Sequence, residues 1–308
     1  MGRIIKKIIC IFLILAGAAL FFYPDVLTSA VDVNAKRTIK VFEETYPGEE
    51  TGSTQTDPQM QELLETVKEY NARIYQNGQA DFKDAWSYEQ APIELSGFDG
   101  EVFGYIDIPK MDIELPLYLG ASTPNMLKGA AILGETSIPI GGENTNSVIA
   151  AHRGYSGIPF FRNIEDLEPG DPVYITNPWG KLSYRVDSIR IIDPNDIDAV
   201  KIQEGRDMIT LLTCHPYRSS GPYRYLVYCV RDTGNETTSG KEQEKVITEH
   251  TVQIPDSSKE DILFEQLLRR ICGALILGFV ICTIFISLLR KIRNRHKKSP
   301  NVRRRRRR

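Results

Sequence analysis

Thr210-Leu211-Leu212-Thr213-Cys214, followed ten residues after the cysteine by Arg224-Tyr225-Leu226-Val227, decides how this 308-residue chain reads. A thiol closes one apolar, β-rich run and a guanidinium opens the next, so Cys214 ends a strand and Arg224 begins its antiparallel neighbour. His152 lies 62 residues upstream of the cysteine, after Ser147-Val148-Ile149-Ala150-Ala151 and before Arg153-Gly154. That is a strand end, where a loop exposes the ring. Nucleophile, base and cation are the parts that acyl transfer needs. A thiol is a poor nucleophile at its unperturbed pKa of about 8.5, so it requires a base or a positive field beside it. Of the other histidines outside the basic tail, His215 adjoins Cys214 and points to the opposite strand face, and His250 lies in a polar spacer.

Outward from this pair, residues 97–231 carry short β-type runs at 102–108, 113–119, 147–151, 172–176, 182–192, 208–213 and 223–230. Gly141-Gly142, Pro169-Gly170 and Asn177-Pro178-Trp179-Gly180 punctuate them as turns. Seven or eight such strands in one stretch predict a closed barrel or a sandwich, a mainly β fold. Residues 24–96 read as a helical and irregular extension. Its clearest helix starts at Asp57-Pro58, shows Met60, Leu63, Leu64, Val67, Tyr70 and Ile74 at helical spacing, and ends at Asn77-Gly78. Residues 232–268 lack apolar periodicity and read as a spacer.

Two apolar runs bracket the chain, at 8–23 behind a basic segment 1–7, and at 271–289 within a span set at 269–290. The second is long enough for a bilayer, and the first reads as an uncleaved anchor, with a cleaved signal peptide as the alternative. Arginine and lysine dominate the tail 291–308. By the positive-inside rule both termini are expected to be cytoplasmic and the part between them extracellular. Residues 24–268 hold 21 basic and 40 acidic residues, a net −19. That argues against nucleic acid and for a basic partner, such as one offering lysine. Cys10, Cys272 and Cys282 lie in the apolar runs. Cys214 reads as a free thiol, and Cys229 as a buried core residue on the sheet face opposite Arg224. No His/Cys cluster has ligand spacing, so neither metal nor cofactor is expected.

These segments resemble the sortases, the membrane-anchored cysteine transpeptidases of Gram-positive bacteria. Residues 210–214 are similar to their T-L-x-T-C signature, Ala151-His152-Arg153-Gly154 to the segment around their histidine, and Arg224-Tyr225-Leu226-Val227 to that around their arginine. Gly104-Tyr105-Ile106-Asp107-Ile108-Pro109-Lys110 resembles the family's opening core strand. The resemblance implies an eight-stranded barrel with Cys214, His152 and Arg224 as catalytic residues, and Thr213, Leu212 and Ala151 beside them as substrate-groove candidates. The second apolar run and the N-terminal extension look most like class C, the pilin-polymerising sortases. In that class a lid bears Asp-Pro-aromatic. Asp84-Ala85-Trp86 is the nearest match, and its missing proline removes a fixed φ.

What the resemblance implies is cleavage of an LPxTG-like sorting motif through a Cys214 thioester, then joining of the acyl group to a pilin lysine. The alternatives are a cell-wall-anchoring sortase that uses a peptidoglycan-precursor amine, a cysteine endopeptidase, and a non-catalytic scaffold that binds sorting motifs. His215 departs from the small residue usual at its position.

Overall fold

Period-two alternation of apolar side chains builds eight strands that close on themselves. In the computed structural model, which describes residues 2–47, 58–80, 82, 95, 98, 102–154, 158–217, 221–233 and 258–298, they are β1 (Gly104–Ile108), β2 (Ile113–Leu119), β3 (Ala130–Ile132), β4 (Thr145–Ala150), β5 (Pro172–Asn177), β6 (Gly180–Ile192), β7 (Asp207–His215) and β8 (Tyr223–Arg231). Their order around the barrel is β1-β2-β3-β4-β7-β8-β6-β5, with β5 pairing back onto β1. Closure leaves no unpaired sheet edge. The β2–β3 and β4–β7 pairs are parallel and the others antiparallel.

The two faces of the strands feed two cores. Ile149, Ala151, Ile209, Leu211, Tyr225, Val227 and Cys229 point inward with Ile106, Leu117 and Ile175. Their neighbours Val148, Ala150, Met208, Leu212, Leu226 and Tyr228 form a second cluster on the outer face with Tyr118, Met126 and Val200. β4 is buried at every position, so both of its faces are packed although its first three residues, Thr145, Asn146 and Ser147, are polar.

Two helices precede the barrel. α1 (Gly2–Thr45) buries Ala35, Ile39 and Phe42, and Glu43 accepts from the Tyr105 hydroxyl at 3.0 Å. α2 (Pro58–Gln76) packs Leu63 and Val67 into the inner cluster. On the same helix, Asn71 is buried and bonds both ways to Ile138, its amide donating to the carbonyl at 2.9 Å and its oxygen accepting from the N–H at 2.8 Å. After α2, Gln79 donates to Glu135 O (2.9 Å) and accepts from Ile202 N (2.7 Å), and Phe82 then enters the outer cluster. A short α3 (Thr123–Lys128) links β2 to β3.

Residues 22–258 form one compact unit. A second comprises residues 1–21 and 259–308, and there α4 (Ser258–Lys298) carries Glu260 and Asp261 in its first turn, where the helix dipole favours acids. Among the described residues no helix is long and apolar enough to cross a membrane. The apolar runs 8–23 and 271–289 fall within α1 and α4.

Candidate active site

Residue parity decides which face each candidate side chain occupies. In β7 the odd positions Ile209 and Leu211 point into the barrel and the even positions Met208 and Leu212 point out, so Cys214 is on the outer face. The same parity sends Arg224 of β8 outward with Leu226 and Tyr228, and His152 outward with Val148 and Ala150. Three residues distant in sequence therefore share one face at one end of the barrel.

Their spacing along that face follows from strand register. Cys214 and Arg224 are direct antiparallel partners, a rung of the β7–β8 ladder. The parallel β4–β7 ladder runs to Ala150↔Leu212, and continues as Ala151 N donating to Leu212 O at 3.2 Å. The Thr213 hydroxyl then donates to Ala151 O at 2.7 Å. One step on, the same offset sets His152 beside Cys214. Arg224 is thus registered against the thiol on one side, and on the other the β4–β7 offset, carried past its last rung, aligns His152 with it.

Gly221 completes the frame between β7 and β8. It has φ +71°, which an L side chain rarely adopts, and a Cβ there would lie 3.1 Å from Cys214 Sγ and 3.2 Å from Arg224 Nη1. Only a bare backbone passes this close to both groups. Arg224 Nη1 donates to the carbonyls of Gly221 and Tyr223, the latter at 3.0 Å, which fixes the plane of the guanidinium fork. Arg224 is nearly buried, whereas Cys214 and His152 are half-exposed.

Burial pushes the His152 ring below its usual titration range, because desolvation penalises the imidazolium. Cys229, the other barrel thiol, is fully buried inside with its pKa driven up by the same cause. Both cysteines are unpaired by disulfide. The groove candidates Thr213, Ala151 and Leu212 are 1%, 2% and 2% exposed, so they meet any ligand only through backbone or across packed neighbours. Asp84 and Trp86 lie outside the described residues. Among the described residues, no group of three or more His, Cys, Asp and Glu side chains is placed to hold a metal ion. Sequence reasoning missed Gly221, whose signal was its place just before the Arg224 strand, and Phe82, an aromatic just ahead of Asp84.

The family model that matches is the sortase domain, over residues 106–232. Sortase D of Bacillus subtilis (strain 168) is 29% identical over 136 residues, 44% of this chain and 66% of that protein. The solved structure of sortase C1 of GBS Pilus Island 1 is 32% identical, with a TM-score of 0.56 over 67% of this chain and 95% of that one. The lid mutant of Streptococcus agalactiae sortase C1 is 32% identical, with a TM-score of 0.50 over 58% of this chain and 92% of that one.

Proposed function

This chain belongs to the sortases, with class C structures as its neighbours, and from that premise we propose that it joins pilin subunits as a cysteine transpeptidase. The observation that carries the reading is the shared face: Cys214 registered against Arg224, with the β4–β7 offset setting His152 on its other side. An extended Leu-Pro-x-Thr-Gly-like segment lies along that face. The Cys214 sulfur attacks the Thr carbonyl as the thiol proton passes to His152. Arg224 donates to the oxygen that gains charge, where an ionised donor is roughly twice as strong as a neutral one. The tetrahedral adduct collapses, the Thr–Gly bond breaks, and His152 gives the proton to the departing glycine nitrogen. A lysine amine then attacks the thioester and loses a proton to His152. An isopeptide bond forms and the thiol is restored.

The lid belongs to this reading. Phe82 packs in the outer cluster, on the face that carries Cys214. Asp84 follows two residues later in the sequence. By the class C resemblance, Asp84 is the residue expected to pair with Arg224 and Trp86 the one expected to cover the sulfur. Sortase C1 of Streptococcus agalactiae, one of the structural neighbours, has a lid that has been altered by mutation. The two apolar runs, at 8–23 and 271–289, are taken to span the membrane. The barrel is then extracellular and both termini are cytoplasmic, beside membrane-held substrates.

The test is incubation of the full chain, in detergent, with a Leu-Pro-x-Thr-Gly peptide and a lysine-bearing pilin domain. The expected product is an isopeptide. Cys214→Ala abolishes the thioester, and Arg224→Ala slows acylation by about a hundredfold to a thousandfold with Cys214 still alkylatable. Turnover that survives Cys214→Ala removes the mechanism. Transfer to a wall-peptide amine in preference to pilin lysine makes the chain an anchoring sortase, and hydrolysis alone makes it an endopeptidase.

A further inference from the structure

Directly beneath the Cys214–His152 pair, on the inward face, sits a buried ionic cluster that the acyl-transfer chemistry does not use. His215 follows Cys214 and Arg153 follows His152, so both point into the barrel by the parity that sends the reacting groups out. Both are essentially buried, as is Glu165, from the 3₁₀ turn Ile164–Asp166. Arg153 Nη1 lies 3.0 Å from His215 Nδ1, and Arg153 Nη2 pairs with Glu165 Oε1. His215 Nδ1 is 3.3 Å from the same carboxylate oxygen. Arg153 Nε donates to Arg162 O at 3.3 Å. Tyr225, an inward residue of β8, lies under the guanidinium at 5.6 Å and beside the imidazole at 5.7 Å.

The spacing gives this cluster its meaning. The Thr213–Ala151 and His215–Arg153 contacts have the same sequence separation, 62 residues, as Cys214 and His152. The reacting pair is therefore bracketed by a bonded rung on either side. It needs the second one, because the regular β4 ladder has ended. His152 O already accepts from Phe161 N (3.0 Å), and Gly154 N donates to Ile158 O (2.9 Å), so the chain is turning away from β7. His215 Nδ1 thus faces a donor, Arg153 Nη1, and an acceptor, Glu165 Oε1, and in either role it ties the ring to the Arg153–Glu165 pair. Replacing a buried ionic group with apolar side chains often leaves stability unharmed, so the use of such a group is better sought in geometry.

We propose that Arg153, Glu165 and His215 are positioning residues for the acyl transfer assigned above: together they hold the backbone after His152 against the end of β7, and so set the distance between imidazole and sulfur. Because this rests on the transpeptidase reading, the test needs one readout that requires no substrate. In the full chain in detergent micelles, the rate of Cys214 alkylation by iodoacetamide, resolved by peptide mass spectrometry, reports the reactivity of the thiol without any substrate. Cleavage of a Leu-Pro-Glu-Thr-Gly peptide gives kcat and KM. His215→Leu, which keeps bulk and removes the ring nitrogen that meets Arg153 and Glu165, should lower kcat by about tenfold to a hundredfold with KM within about twofold. It should also slow alkylation by about fivefold or more. His215→Asn, whose side-chain amide offers both an acceptor and a donor near the Nδ1 position, should bring both rates back to within about threefold of the parent.

Rates for His215→Leu within about twofold of the parent, or equal losses for Leu and Asn, overturn the proposal. Should His215→Leu lose its cooperative melt, Glu165→Gln carries the test under the same thresholds. A parent chain that alkylates at Cys214 yet leaves every sorting peptide uncut refutes the transpeptidase reading instead, and the alkylation arm still decides this one.

Discussion

A single side chain, His152, shows how its environment sets its chemistry. Its ring is half-buried at a strand end, and desolvation lowers its pKa from the ordinary 6.5. Between that lowered value and 6.5, the unfolded chain binds a proton that the folded chain refuses. Stability therefore rises with pH through this window, and acidification below 6.5 costs stability. The expected outcome is that the urea midpoint of the parent drops more between about pH 7 and about pH 5 than that of His152→Gln, which lacks the titrating group. The ring protons of His152 should titrate in NMR below 6.5; a midpoint at or above that value contradicts the burial argument. At this scale Cys214, His152 and Arg224 were legible because each sits at a strand end beside a distinctive neighbour. Glu165 was not. An acid in a 3₁₀ turn carries no sign in the sequence that it will face a buried arginine contributed by the residue after His152.

Elements were easier to read than the way they dock. The stripe Leu63, Val67, Ile74 on α2 is visible in the periodicity, and the structure buries it. Asn71, a polar residue on the same helix that the periodicity leaves unassigned, is buried as well, where it supplies both hydrogen-bond partners of the Ile138 backbone. Asn71→Leu keeps approximate size but strands both backbone groups, and should destabilise the unit by about 1 to 3 kcal/mol. Denaturant unfolding of the parent and variant checks this, and an unchanged midpoint sinks it. Alkylation of Cys214 should stay at the parent rate, since α2 does not supply the site. Strand count was likewise legible from alternation and turns, whereas strand order was not. The parallel β4–β7 pair, which sets the spacing of the site, joins segments separated by two intervening strands in the chain, and no local pattern announces it.

For the molecule as a whole, charge segregation and the apolar runs bear on one question, namely where the barrel works. Residues 24–268 are net −19, and the acid-free stretch 269–308 carries +14. An acidic body repels an anionic membrane surface, while a polybasic tail is drawn to the inner leaflet, at about 1 kcal/mol for each basic residue near it. If the runs inside α1 and α4 span the bilayer, the body is held on one side at two points, and its substrates arrive by two-dimensional encounter. The gain is effective concentration rather than a better active site, and avidity of this kind reaches about a hundredfold or more without any new contact. Two measurements follow. On intact protoplasts, a membrane-impermeant maleimide should label a cysteine introduced at Ser239 and spare one introduced at Asn301; the reverse pattern inverts the topology. Removing residues 269–308 should leave cleavage of a soluble sorting peptide within about twofold of the parent, yet cut the joining of membrane-held subunits in cells by about tenfold or more. Equal losses in both assays would mean that the segment supports the barrel's folding, and no loss in either would mean that one attachment suffices.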